Sequence, residues 1–338
     1  MREAMLFERR DGKEVHCFLC NHHCRIKPSE FGRCGMRENI DGTLYTHAYG
    51  QVIAANADPI EKKPLYHFLP GSRSFSIATL GCNFQCEFCQ NWQISQTNKQ
   101  SDQNSRGLEL SPQKIVEEAG SRGCASIAYT YTEPTIFFEY AYDTARLAKA
   151  EGLANVFVTN GFMTKTAIET IQPYLDACNV DLKAFNEDFY KNVCHGRLKP
   201  VRETIHTLKS MGIWVEVTTL IVPGSNDSKA ELEGIADFLA SVDPGIPWHI
   251  SRFHPDYKYM DTPSTPLAVM QTAYELGKTA GLKHVYMGNV PGQSLDTHCD
   301  NCNRLLIKRG ISGADTDLSE DARCPKCQSV LPGVFSSS

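Results

Sequence analysis

The sequence predicts an α/β protein built on a partial (βα)6 TIM-like barrel, with small Cys-rich N- and C-terminal metal-binding lobes. Three observations carry this. Short runs rich in Val, Ile, Phe and Tyr alternate with segments that open on helix caps. Such alternation gives right-handed crossovers and a parallel sheet. Six units span roughly 215 residues, short of the roughly 250 of an eight-unit barrel, so an incomplete barrel is the first choice and a doubly wound sheet the alternative. Finally, the chain has 14 Cys, and most fall in three clusters: residues 17–34, 82–89 and 299–327. The expected boundaries are 1–47 for a Cys-rich segment, 48–290 for the barrel and 291–338 for a zinc-ribbon-like segment.

The expected strands are Phe75–Leu80, Ala125–Tyr129, Asn155–Thr159, Ala177–Leu182, Ile213–Leu220 and Trp248–Phe253. Some are apolar on both faces, as strands covered by helices are. Between them, Ser111-Pro112 reads as an N-cap with Pro at the first helical position. Ser228-Lys229-Ala230-Glu231 reads as a capping box. Thr265-Pro266 repeats the cap-Pro signal, and Gly123, Gly212 and Gly281 sit where helices should stop. Gln96–Ser105 reads as an exposed loop and Phe335–Ser338 as a frayed tail.

The 338 residues carry a net charge of −5 and 41% hydrophobic residues, which excludes a disordered chain and argues against nucleic-acid binding. No stretch has the roughly 18 uninterrupted apolar residues of a membrane span. The charged start MREAMLFERRDGKEVHC lacks a signal peptide's apolar run, so a cytoplasmic setting is expected, with thiols reduced or bound to metal. Cys124, Cys178 and Cys194, outside the clusters, read as small buried packing residues.

The central cluster leaves the first strand as Gly81-Cys82-Asn83-Phe84-Gln85-Cys86-Glu87-Phe88-Cys89. In a parallel barrel, active groups sit on loops at the C-terminal strand ends. Three thiolates at this spacing can converge on one metal centre. Four would close a 4Fe-4S cluster, and three leave one iron open. A structural zinc site with a distant fourth ligand is the alternative reading.

Cys82-x3-Cys86-x-Phe88-Cys89 resembles the signature of the radical S-adenosylmethionine (radical SAM) enzymes. Tyr131-Thr132-Glu133-Pro134, Val158-Thr159-Asn160-Gly161, Asn179-Val180-Asp181-Leu182-Lys183, Leu220–Gly224 and Arg252-Phe253-His254 follow at successive strand ends. They resemble the same superfamily, especially glycyl-radical-enzyme activases such as pyruvate formate-lyase activating enzyme. CFLCNHHCRI, GRCGMREN, DPIEKKPLYHFLPGS, GCNFQCEFCQNW and YMGNVPG resemble, more narrowly, the radical SAM group of the AmmeMemoRadiSam system. No Cys lies between Cys89 and Cys124, so the ferredoxin-like insert of some activases is missing.

The resemblance implies a 4Fe-4S cluster on Cys82, Cys86 and Cys89, with S-adenosylmethionine chelated at the open iron. Reductive cleavage would yield methionine and a 5′-deoxyadenosyl radical that abstracts hydrogen from a protein, peptide or small-molecule substrate. It makes Glu133 a partner for the cofactor's amino group, and it sets Thr159 and Asn160 beside the ribose or methionyl moiety. Phe88, Thr132, Asp181, Leu220 and His254 complete the cofactor-binding set. Lys183 joins the catalytic set as a contact to the cofactor carboxylate, an internal Asp181–Lys183 pair being the plainer reading. A flavodoxin- or ferredoxin-type protein is the implied reductant. Lys62 and Lys63 read first as surface charge.

Cys299-x2-Cys302 and Cys324-x2-Cys327 read as the two knuckles of a zinc ribbon, four thiolates closing a tetrahedral site. Cys17-x2-Cys20-x3-Cys24-x9-Cys34 offers four more, with His22 and His23 left to hydrogen-bond or face solvent. Zinc is the first choice at both, and an iron–sulfur centre the alternative. Two further classes compete with an enzyme: a non-catalytic iron–sulfur electron-transfer protein and a zinc-binding interaction protein.

Overall fold

The computed structural model describes residues 1–97, 107–310, 313–319 and 321–336. Most of the Gln96–Ser105 loop reading and the last two residues of the expected tail lie outside these. The six predicted strands all form, within two residues at either end. They are β2 (Arg73–Ala78), β3 (Ser126–Tyr129), β4 (Ala154–Thr159), β5 (Ala177–Asp181), β6 (Trp214–Ile221) and β7 (Trp248–Arg252). Two more join them: β1 (Ala54–Pro59) and β8 (Val285–Gly288). Neither announces itself in the sequence. Ala54–Pro59 contains Asn, Asp and Pro, all poor strand formers, and Val285–Gly288 is only four residues long. Both form at an edge, where a neighbour supplies the pairing.

Along the sheet the strands run in chain order from β1 to β8. β1 pairs antiparallel with β2, and every later pair is parallel. A doubly wound sheet reverses its order at a switch point. This one does not, which favours the incomplete barrel. Six longer helices supply the crossovers: α1 (Pro112–Ser121), α2 (Phe138–Ala150), α3 (Lys165–Ile171), α4 (Leu198–Ser210), α5 (Lys229–Val242) and α6 (Leu267–Thr279).

The caps explain the helix starts, with two departures. Ser111 Oγ accepts from Lys114 N, and Ser228 Oγ from Glu231 N. The return half of the Ser228 box is not made, because the Glu231 carboxylate accepts from Phe185 N instead. Thr265 does not cap α6 either. Its hydroxyl accepts from Phe253 N and donates to the Ile221 carbonyl, joining the ends of β6 and β7. Gly123, Gly212 and Gly281 all take positive φ just past a helix, as expected.

The two lobes attach differently. Val15, Leu19, Ile26 and Leu44 belong to the same apolar cluster as Phe75 and Ile127 of the sheet. A buried ion pair between Arg37 and Glu139 of α2 adds to this junction. The C-terminal lobe instead has its own small core of Cys299, Leu306, Ile307, Cys324 and Leu331. Polar groups tie it down. His67 Nδ1 donates to the Pro332 carbonyl at 2.7 Å, Tyr286 Oη lies 2.6 Å from both His67 Nε2 and Thr297 Oγ1, and Arg309 donates to Thr297 Oγ1 at 2.7 Å.

Candidate active site

The loop after β2 turns sharply at Gly81, whose φ is +92° and whose Cβ, if present, would lie 2.9 Å from Met36 Cγ. Any side chain there would be strained and crowded at once. The loop is then pinned from below. Gln85 N donates to the Cys194 carbonyl and Glu87 N to the Val193 carbonyl, while Phe84 packs 5.0 Å from Phe162 and 6.2 Å from Tyr190.

Held this way, Cys82, Cys86 and Cys89 line one cavity of about 330 Å³ at the C-terminal strand ends. That volume is at the low end of the range for small-molecule sites. Burial, then the charge of Glu133, pushes the Cys82 thiol well up. A hydrogen bond with Cys194 lowers the Cys86 thiol, helped by Lys183 and opposed by burial. Cys89 Sγ lies 3.1 Å from Ser95 Oγ, and Cys82 Sγ accepts from Phe84 N at 3.4 Å.

Glu133 sits in the cavity wall, 2% exposed. Its carboxylate accepts from Thr135 N at 3.1 Å, Thr159 Oγ1 at 2.8 Å and Asn160 N at 2.8 Å, and from the Thr135 hydroxyl. A carboxylate has about four acceptor sites, so these four donors nearly fill it. Burial pushes its acid up and the donors pull it back. Glu133 therefore knots the ends of β3 and β4 together. Thr159 stands behind it rather than in the cavity wall. Asn160 does line the cavity, with Nδ2 donating to Asn83 Oδ1 at 2.7 Å and lying 3.8 Å from Cys82 Sγ. Thr132 also lines it, with its hydroxyl on the Thr79 carbonyl at 2.8 Å.

Across from them, Lys183 Nζ lies 2.9 Å from Asp181 Oδ2 and 5.9 Å from the centre of the Phe88 ring. Burial works against its charge, but Asp181 and the thiols of Cys86 and Cys194 hold the ammonium well above its usual range. Asp181, Lys183, Phe88 and Leu220 all line the cavity. His254 does not: it is exposed, and among the described residues it meets the site through Gln90 Nε2, 3.0 Å from its Nδ1.

Two neighbours escaped the sequence. Lys63 is a buried cation, not a surface one: its side chain is 2% exposed, with Nζ 2.9 Å from Asp58 Oδ2. Tyr131 donates to the same oxygen at 2.6 Å from a left-handed backbone, φ 64°, uncommon for an aromatic residue. Burial works the other way, yet these hydrogen bonds hold Asp58 well below the usual carboxylate range. The Asp58/Lys63 spacing in DPIEKK was the available signal. The second is Cys194: it is buried in the core, as expected of a packing residue, but its thiol also lowers that of Cys86. Nothing in its own sequence context marks it.

The outer cysteines gather in two ways. Cys299, Cys302, Cys324 and Cys327 have all their Sγ atoms within 4.8 Å of one another. Cys17, Cys20, Cys24 and Cys34 line a second, narrower cavity. Beside it His22 Nε2 donates to the Asn83 carbonyl at 2.8 Å, and His23 stacks on His16.

The central residues fit a 4Fe-4S cluster with an open iron: three thiols share one cavity wall, and among the described residues no fourth thiol lines it. The wall also carries cationic, anionic and amide groups suited to an amino-acid moiety. The profile of the radical SAM superfamily matches residues 76–239. The chain is 46% identical over 332 residues to an uncharacterized protein of Methanocaldococcus jannaschii, covering 97% of this chain and 98% of that one. It is 21% identical over 182 residues to the pyruvate formate-lyase-activating enzyme of Clostridium pasteurianum, covering 51% of this chain and 71% of that one. A solved radical SAM methyltransferase from Sphaerobacter thermophilus shares the fold, with a TM-score of 0.52 at 16% identity over 70% of this chain and 71% of that one.

Proposed function

The chain belongs to the radical SAM superfamily, and from that premise we propose that it is an activating-enzyme-like radical SAM enzyme acting on a protein, peptide or small-molecule substrate. One observation carries the reading most directly. Cys82, Cys86 and Cys89 share the wall of a ligand-sized cavity with Lys183, Asn160 and Glu133. Those three thiolates would hold a 4Fe-4S cluster, which when bound and reduced would supply the electron for cleaving S-adenosylmethionine to methionine and a hydrogen-abstracting 5′-deoxyadenosyl radical. The protein's part is to bind, orient and exclude water.

Lys183 is the cation placed to receive the cofactor carboxylate, and Asp181 steadies it between turnovers. Asn160 offers an amide beside Cys82. Glu133 acts as a positioning residue: it fixes Asn160 through its backbone N–H and keeps the β3 and β4 ends in register. Phe88 and Leu220 give the cavity apolar wall against which an adenosyl group could lie. Lys62, two-thirds exposed at the mouth, would meet an incoming substrate first. The reductant we assign by class, as a flavodoxin- or ferredoxin-type donor. The C-terminal quartet we assign to structural zinc, which stabilises a lobe with little core of its own. A purely electron-transferring protein would have no use for a ligand-sized cavity, lined by Lys183, Asp181 and Asn160, beside its cluster.

Anaerobic reconstitution with iron and sulfide, then dithionite and S-adenosylmethionine, tests this. We expect 5′-deoxyadenosine by product chromatography. None from a fully loaded sample would overturn the reading.

A further inference from the structure

The N-terminal cysteines are arranged unlike a zinc site. Zinc–sulfur bonds of about 2.3 Å in a tetrahedron put thiolates about 3.8 Å apart. The C-terminal quartet has that compactness, with Cys299 and Cys327 Sγ at 3.5 Å and Cys302 and Cys324 at 3.6 Å. Among the described residues it is the one group of three or more such ligand atoms gathered within 4.8 Å. Cys17, Cys20, Cys24 and Cys34 therefore stand further apart, yet all four line one cavity. Cys82, Cys86 and Cys89 are likewise not gathered within 4.8 Å of one another. That trio is where family membership calls for an iron–sulfur cluster, whose iron and sulfide atoms hold the thiolates apart. One molecule thus contains one tight set and two spread ones.

A second observation concerns hydrogen-bond donors. Arg37 and Asn83 both line the N-terminal cavity and are 2% and 1% exposed. Arg37 Nε and Asn83 Nδ2 are buried with no partner. Buried donors normally find an acceptor. Arg37 Nη1 already lies 3.5 Å from Cys17 Sγ. A zinc tetrathiolate would offer these donors only its four sulfurs. A cubane adds bridging sulfides, further acceptors for N–H groups that line the same cavity. The Arg37 guanidinium is already paired with Glu139 on one side, and turns Nη1 to Cys17 on the other.

We propose that Cys17, Cys20, Cys24 and Cys34 bind a second 4Fe-4S cluster, closed by four thiolates, with Arg37 and Asn83 donating to its sulfur atoms. Spacing alone leads to zinc here; the spread of the thiols and the orphaned donors lead to iron.

The test is metal analysis with Mössbauer spectroscopy on the full chain, reconstituted anaerobically with iron-57, sulfide and zinc. The wild type should hold about eight iron atoms and one zinc, from two four-iron clusters and one tetrathiolate site. The triple variant Cys82→Ala/Cys86→Ala/Cys89→Ala, which leaves the N-terminal quartet intact, should keep about four iron atoms with a cubane signature. Two zinc and no iron in that variant, or a single rubredoxin-like iron, would overturn the proposal. Should the variant aggregate, the wild-type count decides alone: about four iron and two zinc overturns it. Arg37→Met should keep the iron and shift the N-terminal cluster's reduction potential. Loss of one reaction product with all eight irons present would instead count against the proposed activity, so the two readings fail separately.

Discussion

The central trio and the C-terminal quartet are both made of thiols on short loops, and they are built for opposite ends. The quartet closes on itself, in a lobe whose apolar core is a handful of residues. The trio is embedded in the main core, faces a cavity of about 330 Å³ and is surrounded by groups that hold opposite charges in place. Four thiolates complete a coordination shell and end the chemistry. Three, backed by a rigid sheet, leave a coordination position to fill. What separates structure from reactivity here is the missing fourth ligand together with the ordered wall that faces it.

The sharpest way to break this contrast is to remove one ligand from each side. Cys86→Ala should drop 5′-deoxyadenosine formation to background while the C-terminal zinc stays bound, measured by product chromatography and zinc analysis on one sample. Cys324→Ser should do the reverse. The metal assigned to that lobe should be lost and residues 297–310 and 321–331 should exchange their amide hydrogens early, while the cluster absorbance survives. A less drastic change is Lys183→Met, which keeps the fold's bulk but removes the cation. It should cost about ten- to a hundredfold in kcat/KM for S-adenosylmethionine, mostly in KM, as expected for one charge-assisted hydrogen bond. Steady-state kinetics checks it.

Asp58→Asn tests the wall behind the trio. It leaves Lys63 buried without a counter-charge and should cost about 3 kcal/mol in denaturant unfolding. Burial already lowers the Lys63 ammonium against the pull of Asp58, and the variant lowers it further. The unfolded state then binds more protons than the folded one, so the variant's stability should rise with pH until the free lysine itself titrates near pH 10. A penalty that stays flat between pH 6 and about 10 would show that Lys63 remains charged. Smallest is Thr159→Val, which removes one of the four donors to Glu133 and should cost about 1 kcal/mol.

Much of this was readable in advance, because it is written in local chemistry. Alternating apolar runs gave six of the eight strands, and Gly and Ser placed helix ends. Cys spacing located the trio and both quartets. The remainder depends on partners distant in sequence. β1 and β8 are strands by virtue of their neighbours, not their composition. Lys63 looks like surface charge until Asp58 and Tyr131 close over it. Thr265 looks like a cap until β6 and β7 bring carbonyl and amide to its hydroxyl. Glu133 shows the same limit: its motif announces a carboxylate, but only the fold reveals how much of it is already engaged. Whether four thiols stand close or apart is likewise a property of the fold, since both quartets have a Cys-x2-Cys start.

The barrel is not sealed by backbone pairing: β1 and β8 end the sheet, and the seam between them is bridged by side chains. His67, from the turn after β1, reaches Tyr286 of β8, and both reach into the C-terminal lobe through Pro332 and Thr297. That lobe is a clasp. The lobe, which lines no part of the reactive cavity, thereby holds together the two free edges of the sheet on which that cavity is mounted.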